Sequence, residues 1–217
     1  MKSLQVFSLS IIALLLSGCF KDIEVPPTKY YAIGIYFPNT KTITTDWGTE
    51  LIVLNSSKLN IKDTNPVRIL AYFTVEEQVD EKTLKVNITG IYDISVPLIY
   101  INEDNLDSLK RNDPIDFSLI SIAQDYLNLD FKFWVYNKTH DFFFSKNPED
   151  QEDDKIVLKF HHNANKDTGY NIRETIVSVS IAEFKDLFPE KDSVEIVVSY
   201  FKDITTSTEV NIWYKLK

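Results

Sequence analysis

The sequence predicts an all-β protein, a small OB-like β-barrel followed by a β-sandwich. Three observations carry that prediction. Aromatic and β-branched residues recur in short runs of alternating polarity, the period of a half-buried strand. Turn-rich segments separate the runs at spacings that suit a sandwich. Only residues 182–188 have helical spacing, with Phe184, Leu187 and Phe188 on one side and Pro189 as the stop.

The first predicted strand sets Tyr31, Ile33, Ile35 and Phe37 on one face. Val67, Ile69, Ala71, Phe73 and Val75 form another, followed by Leu84, Val86 and Ile88 with Lys85, Asn87 and Thr89 opposite. Gly90 breaks the alternation, as a bulge or a sharp barrel bend requires. Four or five strands before residue 95 fit a five-stranded barrel of OB type. Between Tyr100 and Pro114 the texture turns polar, with room for one helical turn and a closing Asp113-Pro114 pair, and reads as a link. Alternation then resumes in Leu129, Phe131, Phe133 and Val135, opposite Asn128, Asp130 and Lys132. Ile156, Leu158 and Phe160 repeat it, then Val177, Val179 and Ile181, then Val194, Ile196, Val198 and Tyr200. Val210, Ile212, Tyr214 and Leu216 close the series. Six or seven strands after residue 113 fit a sandwich. The expected organisation is a barrel over residues 28–95, a linker over 96–114 and a sandwich over 115–217.

Ahead of the barrel, Lys2 precedes an apolar run from Val6 to Leu16, and Leu16-Ser17-Gly18-Cys19 follows. This arrangement resembles a bacterial lipoprotein signal. It implies a signal peptide over residues 1–18, cleavage after Gly18, lipidation of Cys19 and a tether over 19–27 that Pro26-Pro27 stiffens. The run is shorter than the roughly 20 residues that span a bilayer. A lone thiol is a liability in an oxidising compartment, and a thioether to diacylglycerol consumes it. Several acyl chains hold a protein on a membrane far better than one. Phe20, rather than an inner-membrane retention aspartate, follows the cysteine. The expectation is an outer-membrane lipoprotein facing the periplasm or the cell surface. Lys21-Asp22-Ile23-Glu24 loosely resembles the charged tags that export some Bacteroidota lipoproteins to the surface.

Composition narrows the function classes. The 217 residues carry 23 basic and 32 acidic side chains, and removing residues 1–18 takes away one lysine and no acid. Such a surface repels phosphate backbones, so no nucleic-acid partner is expected. Cys19 is the only cysteine, which leaves no disulfide and no thiol nucleophile. No serine sits in a glycine-flanked elbow, and four glycines after residue 18 cannot build a phosphate-cradling loop. His161 and His162 point to opposite faces of a strand, with His162 inward against the turn at residues 163–167, so no metal site is expected of them with His140. The acidic run at residues 149–154 lacks the glycine punctuation of a calcium loop. The chain reads as a non-enzyme without a cofactor.

Trp47, Trp134 and Trp213 are the candidate binding aromatics. Trp134 and Trp213, like Tyr36 and Tyr72, lie opposite the apolar faces of their strands. Burial against the second sheet or the domain interface is the expectation, and stacking on sugars the alternative. Asp107-Ser108-Leu109 and Asp192-Ser193-Val194, both in predicted loops, resemble the short sites O-glycosylated in exported Bacteroidota proteins, which makes Ser108 and Ser193 candidates.

Taken in order, a set of segments resembles the NigD-like lipoproteins of Bacteroidota. They are the box ending at Cys19, Asp46-Trp47-Gly48, Val67-Arg68-Ile69-Leu70-Ala71-Tyr72-Phe73 and Ile88-Thr89-Gly90-Ile91-Tyr92-Asp93-Ile94. Asn112-Asp113-Pro114-Ile115, Asp125-Tyr126-Leu127-Asn128-Leu129, Leu158-Lys159-Phe160-His161-His162-Asn163-Ala164 and Asp192-Ser193-Val194 continue it. Lys110-Arg111 departs from the family pattern, where small residues are usual. The resemblance implies an OB-type barrel plus a sandwich, and transfers no catalytic residue. The expected function is a membrane-anchored, non-catalytic binding or accessory module with a protein or glycan partner. The alternatives are a glycan binder, a bacteriocin-immunity protein or, last, a metal-dependent enzyme using the histidines.

Overall fold

Five strands close a barrel at the N-terminal end of the computed structural model, which describes residues 27–59, 61, 64–101, 112–148 and 155–217. They are β1 (Lys29–Phe37), β2 (Thr42–Thr45), β3 (Glu50–Val53), β4 (Val67–Gln78) and β5 (Thr83–Asp93). The order around the barrel is β1-β2-β3-β5-β4, with β3 and β5 parallel and β4 returning antiparallel to β1. That is the closed five-stranded arrangement expected of an OB-type barrel. Ile43, Leu51, Val53, Ile69, Phe73 and Val86 fill it.

The face assignment of β1 is reversed from the sequence expectation. Ala32, Gly34 and Tyr36 point inward, whereas Tyr31 is exposed and Ile33, Ile35 and Phe37 are half-buried. A strand's alternation establishes its period but not which set faces the core. Here the barrel is too narrow for the bulkier set: a Cβ on Gly34 would lie 2.5 Å from the Thr44 carbonyl oxygen and 2.9 Å from Ile43 Cγ2. Tyr36, expected opposite the apolar face, is therefore a core residue, and burial raises the pKa of its phenol. Val75 is exposed, beyond the covered part of β4.

Closure needs local bends, and two bulges supply them. Tyr72 pairs with Gly90 while Phe73 pairs with Ile88, which leaves Thr89 as an extra residue. The expected bulge at Gly90 is thus present. A second shift between Val75 and Glu77 leaves Glu76 extra on β4.

The remaining strands are β6 (Ile99–Ile101), β7 (Asp116–Ala123), β8 (Tyr126–Val135), β9 (Asp141–Lys146), β10 (Lys155–Asn163), β11 (Asn171–Ser180), β12 (Ser193–Phe201) and β13 (Ser207–Lys215). They form a five-stranded sheet, β13-β12-β10-β9-β6, facing a three-stranded sheet, β11-β8-β7. The apolar faces read from the sequence meet between them: Leu129, Phe131, Phe160, Val177, Ile196 and Val198 are buried in one cluster. β6 falls inside the stretch expected to be a linker, yet it pairs in parallel with β9 as a sandwich strand. The helix is a single turn, α1 (Phe184–Leu187). Phe184 anchors it in the core, but Leu187, expected on the same side, is exposed, because the chain leaves helical geometry at Phe188 (φ −131°) and it is that ring which packs against the core.

Candidate functional site

Barrel and sandwich are joined by a buried polar clasp. Asp46 lies in the β2–β3 turn, where its backbone N–H donates to the Ile33 carbonyl, and Arg68 sits on β4. Arg68 donates through Nη1 and Nη2 to the two carboxylate oxygens of Asp46, at 2.6 and 2.7 Å. Its guanidinium also reaches into the three-stranded sheet. Nη2 donates to Asn128 Oδ1 at 3.1 Å, Nε to Ser178 Oγ at 3.3 Å, and the Tyr126 ring lies 4.4 Å from the guanidinium carbon. Ser178 Oγ donates in turn to Asn128 Oδ1, and Asn128 Nδ2 donates back to Asp46. Arg68, Asn128 and Ser178 are all buried. A charge removed from water this completely is tolerable only because each donor meets an acceptor. Gln124 Nε2, at the β7–β8 turn, donates to the Thr45 carbonyl, and the Ser178 N–H donates to Ser95.

Beyond the clasp the two surfaces diverge in matched rows. On the barrel the next rows are Ile33, Leu70 and Tyr92, then Tyr31, Tyr72 and Gly90, each set in register across β1, β4 and β5. On the sandwich they are Asp130 with Ile176, then Lys132 with Glu174. Between them opens a cleft of about 810 Å³, walled on one side by Tyr31, Tyr72 and Tyr92 and on the other by Asp130, Arg173 and Glu174. That volume lies within the usual range of ligand sites, which favour domain interfaces. Tyr31 and Tyr92 are 65% and 63% exposed, too much for core residues of a strand. The Tyr72 ring packs over Gly90 and meets Tyr92 edge-on, with centroids 5.9 Å apart and planes at 78°. Asp130 Oδ1 is shielded from solvent and has no hydrogen-bond partner among the described residues. Burial, and then the charge of Glu174, raises the Asp130 pKa, against the pull of Lys132.

A second polar cluster closes one end of the sandwich. His162 Nδ1 lies 3.2 Å from the Asp113 carbonyl and so donates to it, which leaves Nε2 to accept from His140 Nδ1 at 2.8 Å. His140 Nε2 faces Asp167 Oδ2 at 3.3 Å. Burial among Phe133 and Phe142, then the neighbouring His140, pushes the His162 pKa down to about 4. The Asp167 pKa is lowered as well, by a different cause: burial opposes its ionisation, but the N–H groups of Tyr136, Lys138 and Asn137 and the His140 ring together hold its carboxyl below the usual range. His161, on the opposite face as expected, stacks on Phe143 and bonds Ser145 and Asn112. The pairing of His140 with His162 was not legible in the sequence, since 22 residues separate them. No group of three or more histidine, cysteine or acidic side chains stands where it could hold a metal ion among the described residues.

The three tryptophans do not converge. Trp47 tips the β2–β3 turn at 73% exposure, while Trp134 and Trp213 are 56% and 60% exposed on the outer faces of opposite sheets. The expected burial of Trp134 and Trp213 is corrected: the domain interface covers only the clasp end of the three-stranded sheet, and none of the described residues covers the outer face of β13 at Trp213. Tyr72 also stays open, as a cleft wall. Ser193 is the half-buried first residue of β12, opposite Lys215, rather than a loop residue. Cys19, Ser108 and the acidic run 149–154 lie outside the described residues.

Residues 97–212, more than half of the chain, match the family model of the NigD-like C-terminal beta sandwich domain. The chain belongs to the NigD-like family. Its fold is shared with a NigD-like immunity protein from Bacteroides caccae (18% identity, 88% of this chain and 98% of that one, TM-score 0.69). A candidate toxin-related protein from Parabacteroides distasonis is similar too (21% identity, 88% and 95% covered, TM-score 0.70). So is a candidate lipoprotein from Bacteroides fragilis (14% identity, 88% and 99% covered, TM-score 0.63). No curated protein matches the chain. The segments that carry the NigD-like resemblance meet in space. Asp46, Arg68, Tyr126 and Asn128 build the clasp; Tyr72 and Tyr92 wall the cleft; Asn112 and Asp113 bond His161, His162 and Ala164.

Proposed function

We propose that this NigD-like chain is a lipid-anchored, non-catalytic binding module of the cell envelope that offers the cleft between barrel and sandwich to its partner. The observation that carries this reading is the tyrosine-walled cleft itself, whose shape is set by the buried Arg68–Asp46 clasp. Three large rings left open beside a rigid junction are uncommon unless something covers them. The anchor rests on the lipoprotein signal at Cys19, with which the likeness to a candidate lipoprotein is consistent. Among the described residues no helix is long and apolar enough to cross a membrane. Outer-membrane placement follows from Phe20 after the cysteine.

The test has two arms. Cys19→Ala should shift the protein out of the membrane fraction of its native host. Affinity capture from envelopes of that host should recover a partner that Tyr72→Ala and Tyr92→Ala lose. Retention of Cys19→Ala on the membrane sinks the anchor, and capture indifferent to both tyrosines sinks the cleft.

An immunity role is the second reading, favoured by the likeness to a NigD-like immunity protein. It predicts that deleting the gene sensitises the host to a bacteriocin. Glycan recognition by a joint tryptophan platform loses support, because Trp134 and Trp213 face opposite ways.

A further inference from the structure

The cleft is more specific than an apolar groove. Its walls carry three carboxylates, Asp93, Asp130 and Glu174, against one cation, Arg173. Among the described residues none of these four makes an ion pair, and Asp130 Oδ1 has no hydrogen-bond partner. The Lys132 ammonium, in register with Glu174, is the other nearby positive charge and leaves the acids in excess. The aromatic wall is angular. Tyr72 and Tyr92 stand at 78° to one another, and Tyr31 is tilted by 40° from Tyr72. A sugar ring stacks on one flat platform, whereas rings set at an angle offer their negative faces to a compact cation from two sides. The volume, about 810 Å³, exceeds what a single ammonium or guanidinium group needs and suits a short stretch of chain.

Resting on the binding-module reading above, we propose that this cleft receives a basic peptide segment of a partner protein, with a lysine or arginine side chain seated in the corner between Tyr72 and Tyr92 and facing the acidic wall. The surface beyond the cleft is of the same mixed kind. Lys132 with Glu174 is followed along β8 and β11 by Trp134 with Ile172, both open, so an extended segment leaving the cleft meets further apolar contact. Charge of this kind contributes to association rate and specificity and is weakened by salt.

The lipidated chain, purified in detergent, is titrated calorimetrically with a short peptide of alternating lysine and leucine. Its glutamate-leucine counterpart and maltohexaose serve as comparison probes. The basic peptide should bind, and bind more weakly as ionic strength rises. Asp130→Asn and Tyr92→Ala should each weaken it by about tenfold or more. Glu209→Gln, a change at an exposed acid on β13, should leave affinity unaltered and so separate the cleft from general attraction to an acidic surface. Both cleft variants should fold as the parent does, because Asp130 Oδ1 has no hydrogen-bond partner among the described residues and Tyr92 is largely exposed. An unchanged melting temperature verifies this. Failure of the basic peptide to bind, or equal loss in Glu209→Gln, overturns the inference. Binding of maltohexaose or of the acidic peptide, sensitive to Tyr92→Ala, also overturns it, but leaves the cleft a binding site.

Discussion

Arg68 and Asp46 face each other as a bidentate pair, at 2.6 and 2.7 Å, at the point where the barrel meets the sandwich. Both side chains are almost wholly withdrawn from solvent. The pair is therefore a junction as well as an ion pair, since the same guanidinium also bonds Asn128 and Ser178 of the other unit.

Removing one partner leaves the other charge buried and unmatched. Arg68→Met should cost about 3–5 kcal/mol in urea denaturation, and Asp46→Leu a similar amount. The double variant should recover part of that loss, because no isolated charge remains. A double variant as unstable as the sum of the singles would show that the pair does not act as a unit.

His162 ties stability to pH. Its pKa is about 4 folded, against 6.5 for an ordinary histidine. Above pH 6.5 neither state carries the proton, and the group contributes no penalty. As pH falls from 6.5 towards 4 the unfolded chain takes up a proton that the folded chain refuses. Stability then drops by up to about 3 kcal/mol. Thermal melts across this window should show the decline, and His162→Gln, which keeps an acceptor for His140 but does not titrate, should flatten it. Below that window Asp125 acts in addition: Lys185 and then Tyr214 hold its carboxyl below the usual range, so its contribution fades only in stronger acid.

Gly34 is needed for space rather than for backbone freedom. Gly34→Ala would drive a methyl group into the Thr44 carbonyl and the Ile43 side chain, both on the neighbouring strand. A loss of about 1–3 kcal/mol is expected, the usual range for overpacking. Gly90→Ala, whose Cβ would meet only Tyr72 at an ordinary 3.8 Å, should cost less. Chemical denaturation of the two variants side by side checks the ranking.

All three tryptophans are exposed, which makes the intrinsic fluorescence a probe of surface rather than core. Native protein should emit near free indole in water, be readily quenched by acrylamide and shift little on unfolding. A strongly blue-shifted native spectrum would place Trp134 or Trp213 under cover.

Alternation was enough to reveal the sandwich core, where Phe131, Leu158, Val177 and Ile196 came out facing inward. It was enough as well for the bulge at Gly90 and for the opposed faces of His161 and His162. The same rule failed at β1, because bulk suggested the wrong face and the narrow barrel accepts only Ala32, Gly34 and Tyr36. The cleft was not legible, since Tyr31, Tyr72, Tyr92 and Asp130 belong to four different strands in two sheets.

By itself, the sequence determined the all-β class, the order of barrel and sandwich and most of the inward faces. These depend on local periodicity or on adjacent residues. Only the tertiary structure decided which tyrosines are covered, that Arg68 spans two units, that His140 meets His162, and that an acidic, aromatic cleft opens beside the clasp. Each of those depends on strands distant in sequence being brought into register, and the energy that selects the register comes from burial across sheets, which no local pattern encodes.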